Sequence, residues 1–144
     1  MRSKVMAGVV MSVLGFAAHA AEPANTKDGM LVDSSGRTLY TFDKDAPSKS
    51  NCNGGCATVW PPLVAVADAA PSGKFTLVAR DDGSNQWAYE DKPLYRYAAD
   101  QKTGDTTGDK FGGVWHVARA SASADASKSV QPSSNSGTSY GYRY

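Results

Sequence analysis

Few side chains in this sequence can carry chemistry. It has two cysteines and two histidines in 144 residues. His19 lies in an N-terminal segment read below as removed, which leaves His116 alone in the mature chain. Without a second histidine near a carboxylate or a serine, no set of nucleophile, base and orienting group can be assembled. The expectation is a protein that is not an enzyme. Two cysteines are too few for a disulfide-built scaffold. Excess positive charge is missing too: 15 Lys and Arg stand against 14 Asp and Glu, so nothing draws the chain to nucleic acid. Nor is there an apolar run of the ~20 residues that span a bilayer.

The one sizeable apolar run, residues 6–18, is too short for an anchor and reads as targeting. Arg2 and Lys4 precede it, and Ala18-His19-Ala20 has the small-x-small form of a signal-peptidase site. Residues 1–20 are therefore expected to be a signal peptide and residues 21–29 a linker. No cysteine follows the run to take a lipid. Cys52 and Cys56 then face an oxidising compartment. From residue 120 to 144 apolar bulk disappears, and such a tail is expected to be disordered. Tyr140, Tyr142 and Tyr144 close it, read as compositional drift rather than sticky contacts for a partner.

What the sequence does have is a repeat. Leu39-Tyr40-Thr41-Phe42-Asp43-Lys44-Asp45 returns as Leu94-Tyr95-Arg96-Tyr97-Ala98-Ala99-Asp100, with Val59-Trp60 and Val114-Trp115 at the same offset of 55. Residues 30–119 are thus expected to form a small all-β antiparallel domain built from two related β units. Residues 30–32 and 38–42 read as strands around a turn at Asp33-Ser34-Ser35-Gly36. Residues 75–80, 86–89 and 93–97 read as an antiparallel meander, with Phe75, Leu77 and Ala79 on one face. Residues 56–60 suit one helical turn stopped by Pro61-Pro62, and residues 114–118 a closing strand.

Four features could bear function, each with a plainer reading. Cys52-Asn53-Gly54-Gly55-Cys56 reads as a structural disulfide, its glycines supplying the backbone freedom of a tight ring. A pair of thiolates for a soft metal such as copper, or a redox pair, is the alternative. His116 follows Trp115 and would join that site only if the packed units bring it to the cysteine loop. Asp100, Asp105 and Asp109, like Asp43, Asp45 and Asn51, loosely resemble calcium loops, but they are also ordinary turn residues. Tyr40, Tyr95, Phe42, Tyr97, Trp60, Trp115 and Trp87 read as a core, with an aromatic shelf for ring ligands as the alternative. Asp45 and Asp100 are candidate partners for the hydroxyls.

Leu39-Tyr40-x-Phe42-x-x-Asp45, Cys52-Asn53-Gly54-Gly55-Cys56-Ala57, Trp60-Pro61-Pro62-Leu63, Pro93-Leu94-Tyr95-x-Tyr97-x-x-Asp100 and Gly113-Val114-Trp115-His116 resemble the bacterial secreted repeat of unknown function. Its members are often called predicted lipoproteins with the Yx(FWY)xxD motif. The resemblance implies an exported bacterial protein with no established activity and no catalytic residue to carry over. The missing lipobox cysteine favours a soluble periplasmic or secreted form. Together these readings point to a non-enzymatic binding or structural module of the cell envelope, its ligand and partner unknown. A periplasmic copper-binding or thiol redox protein is the alternative.

Overall fold

The computed structural model describes residues 22–121. The expected signal peptide and nearly all of the expected tail lie outside the described residues. Strand β1 (Asn25–Lys27) pairs with β2 (Met30–Val32), and β3 (Tyr40–Phe42) follows. A five-residue helix α1 (Gly55–Val59) precedes a meander of β4 (Phe75–Ala79), β5 (Asn85–Tyr89) and β6 (Lys92–Pro93). A 3-10 turn, Phe111–Gly113, leads into β7 (Trp115–Val117), which returns to pair with β3. Every strand pair is antiparallel. The domain is all-β, as its sequence suggests.

Several segments differ from the sequence reading. The last strand of the meander, expected over 93–97, is only Lys92–Pro93, because Tyr95 turns away to bridge Tyr40 and Pro62. Residues 21–29, taken as a linker, contain β1. Asp28 and Gly29 have φ of 51° and 77°, as a two-residue hairpin turn requires, and Asp-Gly is a dipeptide that adopts it readily. That turn chemistry outweighs the polar flanks, and Ala24 is buried just before the strand. On β4, Phe75 and Leu77 do share the side of Trp87 and Tyr89. Ala79, however, is exposed, whereas Val78 and Arg80 on the opposite face are buried. The sheet is covered on both sides, because Arg80 reaches across to the cysteine loop and donates to the Cys52 carbonyl at 2.8 Å. The ordered domain also runs past 119: the Ala120 N–H donates to the Gly29 carbonyl at 3.1 Å.

The two units meet at their repeated tyrosines. Tyr40 and Tyr95 lie opposite one another and exchange both backbone hydrogen bonds, at 2.8 and 2.9 Å. Matched contacts spread from this pair. The Asp43 N–H donates to Val114 at 2.9 Å, and its equivalent, Ala98, donates to Val59 at the same distance. Further out, Leu31 donates to Ala118, Ala118 to Leu39 and Leu39 to Leu31, closing a ring of backbone bonds of 2.8, 2.8 and 2.9 Å. Trp87, Leu63 and Leu94 close the same ring at 2.8, 2.9 and 2.9 Å. Leu31 and Trp87 correspond with one residue of slippage, since the turn closed by Ala88 and Pro93 is one residue shorter than that closed by Val32 and Thr38.

These rings show an exchange. Ala118 belongs to the second unit by sequence but pairs with Leu31 and Leu39 of the first. Leu63 belongs to the first but pairs with Trp87 and Leu94 of the second. Each unit receives its last extended segment from the other.

The repeated Leu-Tyr doublet builds both cores. Side chains alternate along a strand, so Leu39 and Leu94 enter an apolar cluster with Leu31, Leu63, Phe75 and Trp87. Tyr40 and Tyr95 enter the other, with Cys52, Trp60, Trp115 and Val117. All four doublet residues are fully buried.

Asp33 ties the β2–β3 turn to the second unit. Its carboxylate accepts from the Ser35 and Arg37 N–H groups at 2.8 and 3.0 Å and from Arg96 Nε at 2.5 Å. Burial alone would raise its pKa. The Arg37 N–H, the Arg96 guanidinium and the Ser35 N–H outweigh that and hold it below the ordinary carboxylate value. A lowered folded pKa means stability that is present at neutral pH and lost as pH falls from about 4 through the folded value. Asp33→Asn should therefore cost about 1–3 kcal/mol at pH 7. Melting curves should show that gap closing as the pH drops below the carboxylate range.

Candidate functional site

Each motif tyrosine reaches across to the other unit's motif aspartate. The Tyr40 hydroxyl donates to Asp100 Oδ2 at 2.5 Å, and the Tyr95 hydroxyl to Asp45 Oδ2 at 2.7 Å. Asp100 is buried and also accepts from the Thr107 N–H at 3.1 Å and the Thr107 hydroxyl at 2.5 Å. Asp45 Oδ1 accepts from the Asn51 N–H at 2.7 Å. Burial, then the bond to Asp100, pushes the Tyr40 phenol well above its usual pKa. Burial does the same for Tyr95, reinforced by Asp45 against the Ser50 hydroxyl. Desolvation also raises Asp45, against the Asn51 N–H and the Tyr95 hydroxyl.

The other aromatic residues of the motif cross in the same way. Phe42 stacks on Trp115 with centroids 4.2 Å apart, and Tyr97 stacks on Trp60 at 4.2 Å. The two indoles lie against each other at 3.8 Å with planes 4° apart. The result is one column of four rings, Phe42, Trp115, Trp60 and Tyr97. Tyr40 stands edge-on to Trp60 at 5.4 Å and Tyr95 edge-on to Trp115 at 5.1 Å. Gly108 lets the column close. A Cβ there would come within 2.7 Å of the Trp60 ring.

The outward face of β3 and β7 is different in kind. Thr41 and His116 are cross-strand partners, and Asp43 lies two residues beyond Thr41 on the same face. His116 Nε2 is 2.8 Å from Asp43 Oδ2, with both side chains well exposed. Two adjoining clefts of about 410 and 290 Å³ open here, and Thr41, Asp43, Glu90 and Lys92 line both. His116 and Arg119 border the smaller one, and Asp45 and Asp91 the larger.

The family model described as a secreted repeat of unknown function matches residues 23–64 and again 76–119. The chain belongs to this family. No curated protein and no solved structure matches it. No helix among the described residues of this secreted repeat is long and apolar enough to cross a membrane.

In this secreted repeat Cys52 and Cys56 are joined in a disulfide, and Cys52 is fully buried. His116 is directed to Asp43 rather than brought to the sulfurs. The acidic loops serve their own backbones: Asp105 accepts from the Gln101 and Lys102 N–H groups at 2.9 Å each, and Asp109 from the Val117 N–H at 3.1 Å. Among the described residues no group of three or more His, Cys, Asp or Glu is placed to hold a metal ion.

Arg80 is the residue that sequence reasoning missed. Its guanidinium, almost fully buried, donates to the Ser50 hydroxyl at 2.9 Å, Gln86 Oε1 at 2.7 Å, the Cys52 carbonyl at 2.8 Å and Asn53 Oδ1 at 3.1 Å. The available signal was its position two residues beyond Val78, hence on the same strand face.

The disulfide loop thus has two supports, its covalent bond and Arg80. Replacing both cysteines by alanine should cost about 2 kcal/mol, the chain-entropy value for so short a ring. Thiol titration of the denatured, unreduced protein should find no free thiol. A stability loss near zero in a denaturant melt would show that Arg80 alone holds the loop.

Proposed function

We propose that this exported protein is a non-enzymatic binding module of the bacterial envelope, and that its binding surface is the outward face of β3 and β7. One observation carries this reading. The family motif is consumed inside the domain, because the Tyr40 and Tyr95 hydroxyls, both motif carboxylates and the Phe42 and Tyr97 rings are each paired with the opposite unit. The two clefts are lined instead by solvent-facing side chains of both signs, Asp43, Glu90 and Asp91 with Lys92, His116 and Arg119, held only by surface pairs such as His116 with Asp43 and Lys74 with Glu90. Such mixed charge suits a polar ligand bearing both signs. The bonded cysteines offer no thiolate to a soft metal, which argues against the copper reading. Export follows from the family's description as secreted, with cleavage after Ala20 giving a periplasmic or released form.

Thr41→Arg combined with Lys92→Glu fills and recharges both clefts and leaves the buried rings untouched. The wild-type protein should sediment with isolated bacterial cell envelopes. The double variant should stay in the supernatant with an unchanged melting midpoint. A wild-type protein that stays in the supernatant, or a variant that sediments equally well, overturns the assignment.

A further inference from the structure

The aromatic core has more than a core needs. Apolar volume alone would be supplied by leucine or phenylalanine, but here two indoles overlap face to face at 3.8 Å, in contact with the two tyrosines whose hydroxyls end on carboxylates. Indole and phenol are the side chains from which a single electron is most readily taken once thiols are excluded, and both cysteines are locked in the disulfide. We propose that this core is a one-electron relay that takes oxidising equivalents from small oxidising radicals and holds them on Tyr40 or Tyr95.

The ring column provides the entry. Its end rings, Phe42 and Tyr97, are half-buried, and the exposed Phe111 packs against Trp60 at 5.7 Å and Tyr97 at 5.8 Å. An oxidising radical at the surface removes one electron from the indole pair and is itself reduced to the anion. The remaining positive charge is shared by the two parallel rings. Tyr40 or Tyr95 then gives an electron to the indole radical cation, and its O–H bond breaks as the proton passes to Asp100 or Asp45.

The products are a neutral phenoxyl radical, a protonated aspartic acid and two restored indoles. Electrons and protons balance, and no proton has to reach water. Return needs one electron from a small diffusing enediolate, which is left as its own radical, with the proton moving back from the carboxyl group to the phenoxyl oxygen.

The environment favours this coupled route over its alternatives. Burial makes a bare phenoxide costly, so the phenol does not ionise first. Asp45 is a better proton acceptor than an ordinary carboxylate, because desolvation raises it. The acceptors lie at 2.5 and 2.7 Å, within the range of a charge-assisted O–H···O bond. The arrangement occurs twice, and both copies meet at the same indole pair.

The test is pulse radiolysis of the full mature chain with the azide radical as oxidant, following the indole radical-cation and phenoxyl absorptions. The indole radical-cation signal should convert to phenoxyl at a rate independent of protein concentration, and the conversion should slow in deuterated water. In Asp45→Asn with Asp100→Asn the hydrogen-bond acceptors remain but the bases are lost, and the conversion should slow by about tenfold or more. Tyr40→Phe with Tyr95→Phe should remove the fast phase, with near-ultraviolet circular dichroism reporting that the ring column is intact. Conversion that depends on protein concentration in the wild type, or a fast phase that survives in the double phenylalanine variant, overturns the relay. The wild-type measurement decides even if neither variant folds.

Discussion

Residues 22–66 and 67–121, made as two polypeptides, should each fail to fold alone and should fold together when mixed. The family model recognises each repeat separately, which suggests two small domains side by side. The hydrogen bonds say otherwise. The first unit alone would lose the partner of Leu39 at Ala118, the Asp100 carboxylate that receives Tyr40, and the Trp115 and Tyr97 rings that cover Trp60. About 50 residues bury too little surface to stand without such contacts. Val66, where the cut falls, is 71% exposed, so the break itself removes no packing. Circular dichroism should show disordered halves and a cooperative melt only for the equimolar mixture. A cooperative melt of either half as a monomer would refute the exchange of strands.

Trp60→Ala and Trp115→Ala should each destabilise the protein by about 3–5 kcal/mol, as large aromatic deletions in cores do. Domains of this size hold about 5–15 kcal/mol in total, so either change brings the protein to the edge of unfolding. Both indoles are buried, and each touches the other indole, one end ring and one tyrosine. Because the ring contacts match apart from Phe111, which packs on Trp60 alone, the two losses should be similar, with Trp60 the larger. Being in direct contact, they should also fail to add in the double variant. Tyr40→Phe and Tyr95→Phe should cost less, about 1–3 kcal/mol for a carboxylate losing a donor, with Asp100, the more deeply buried, the more sensitive. Guanidinium midpoints for the five proteins beside the parent would decide. Parent-like stability in either tryptophan variant would mean that the column is a surface feature.

Some of this could be read along the chain. Leu39-Tyr40 and Leu94-Tyr95 announce a repeat, and strand alternation puts the leucines and tyrosines on opposite sides. Cys52 and Cys56, with two glycines between them, announce their bond. Asp28-Gly29 announces a hairpin too, but the small polar residues around it obscured that signal. Arg80 could not be read as buried, because an arginine at a strand end is ordinarily solvated. Only the hydroxyl, carbonyl and amide oxygens brought by the Ser50–Asn53 loop and by Gln86 make its burial tolerable.

Local rules along the chain were enough to place most of the strands, the two units and the Leu-Tyr doublets at the heart of the core. Alternation, turn chemistry and repetition act over a few residues. Which residue pairs with which is settled in the folded chain. Tyr40 meets Asp100 rather than Asp45, and Phe42 covers Trp115 rather than Trp60. A repeat makes the near and the crossed pairings chemically identical, so no pattern in the chain can choose between them. The choice falls to the backbone, because Tyr40 and Tyr95 exchange hydrogen bonds at the centre and so place each unit's side chains within reach of the other's.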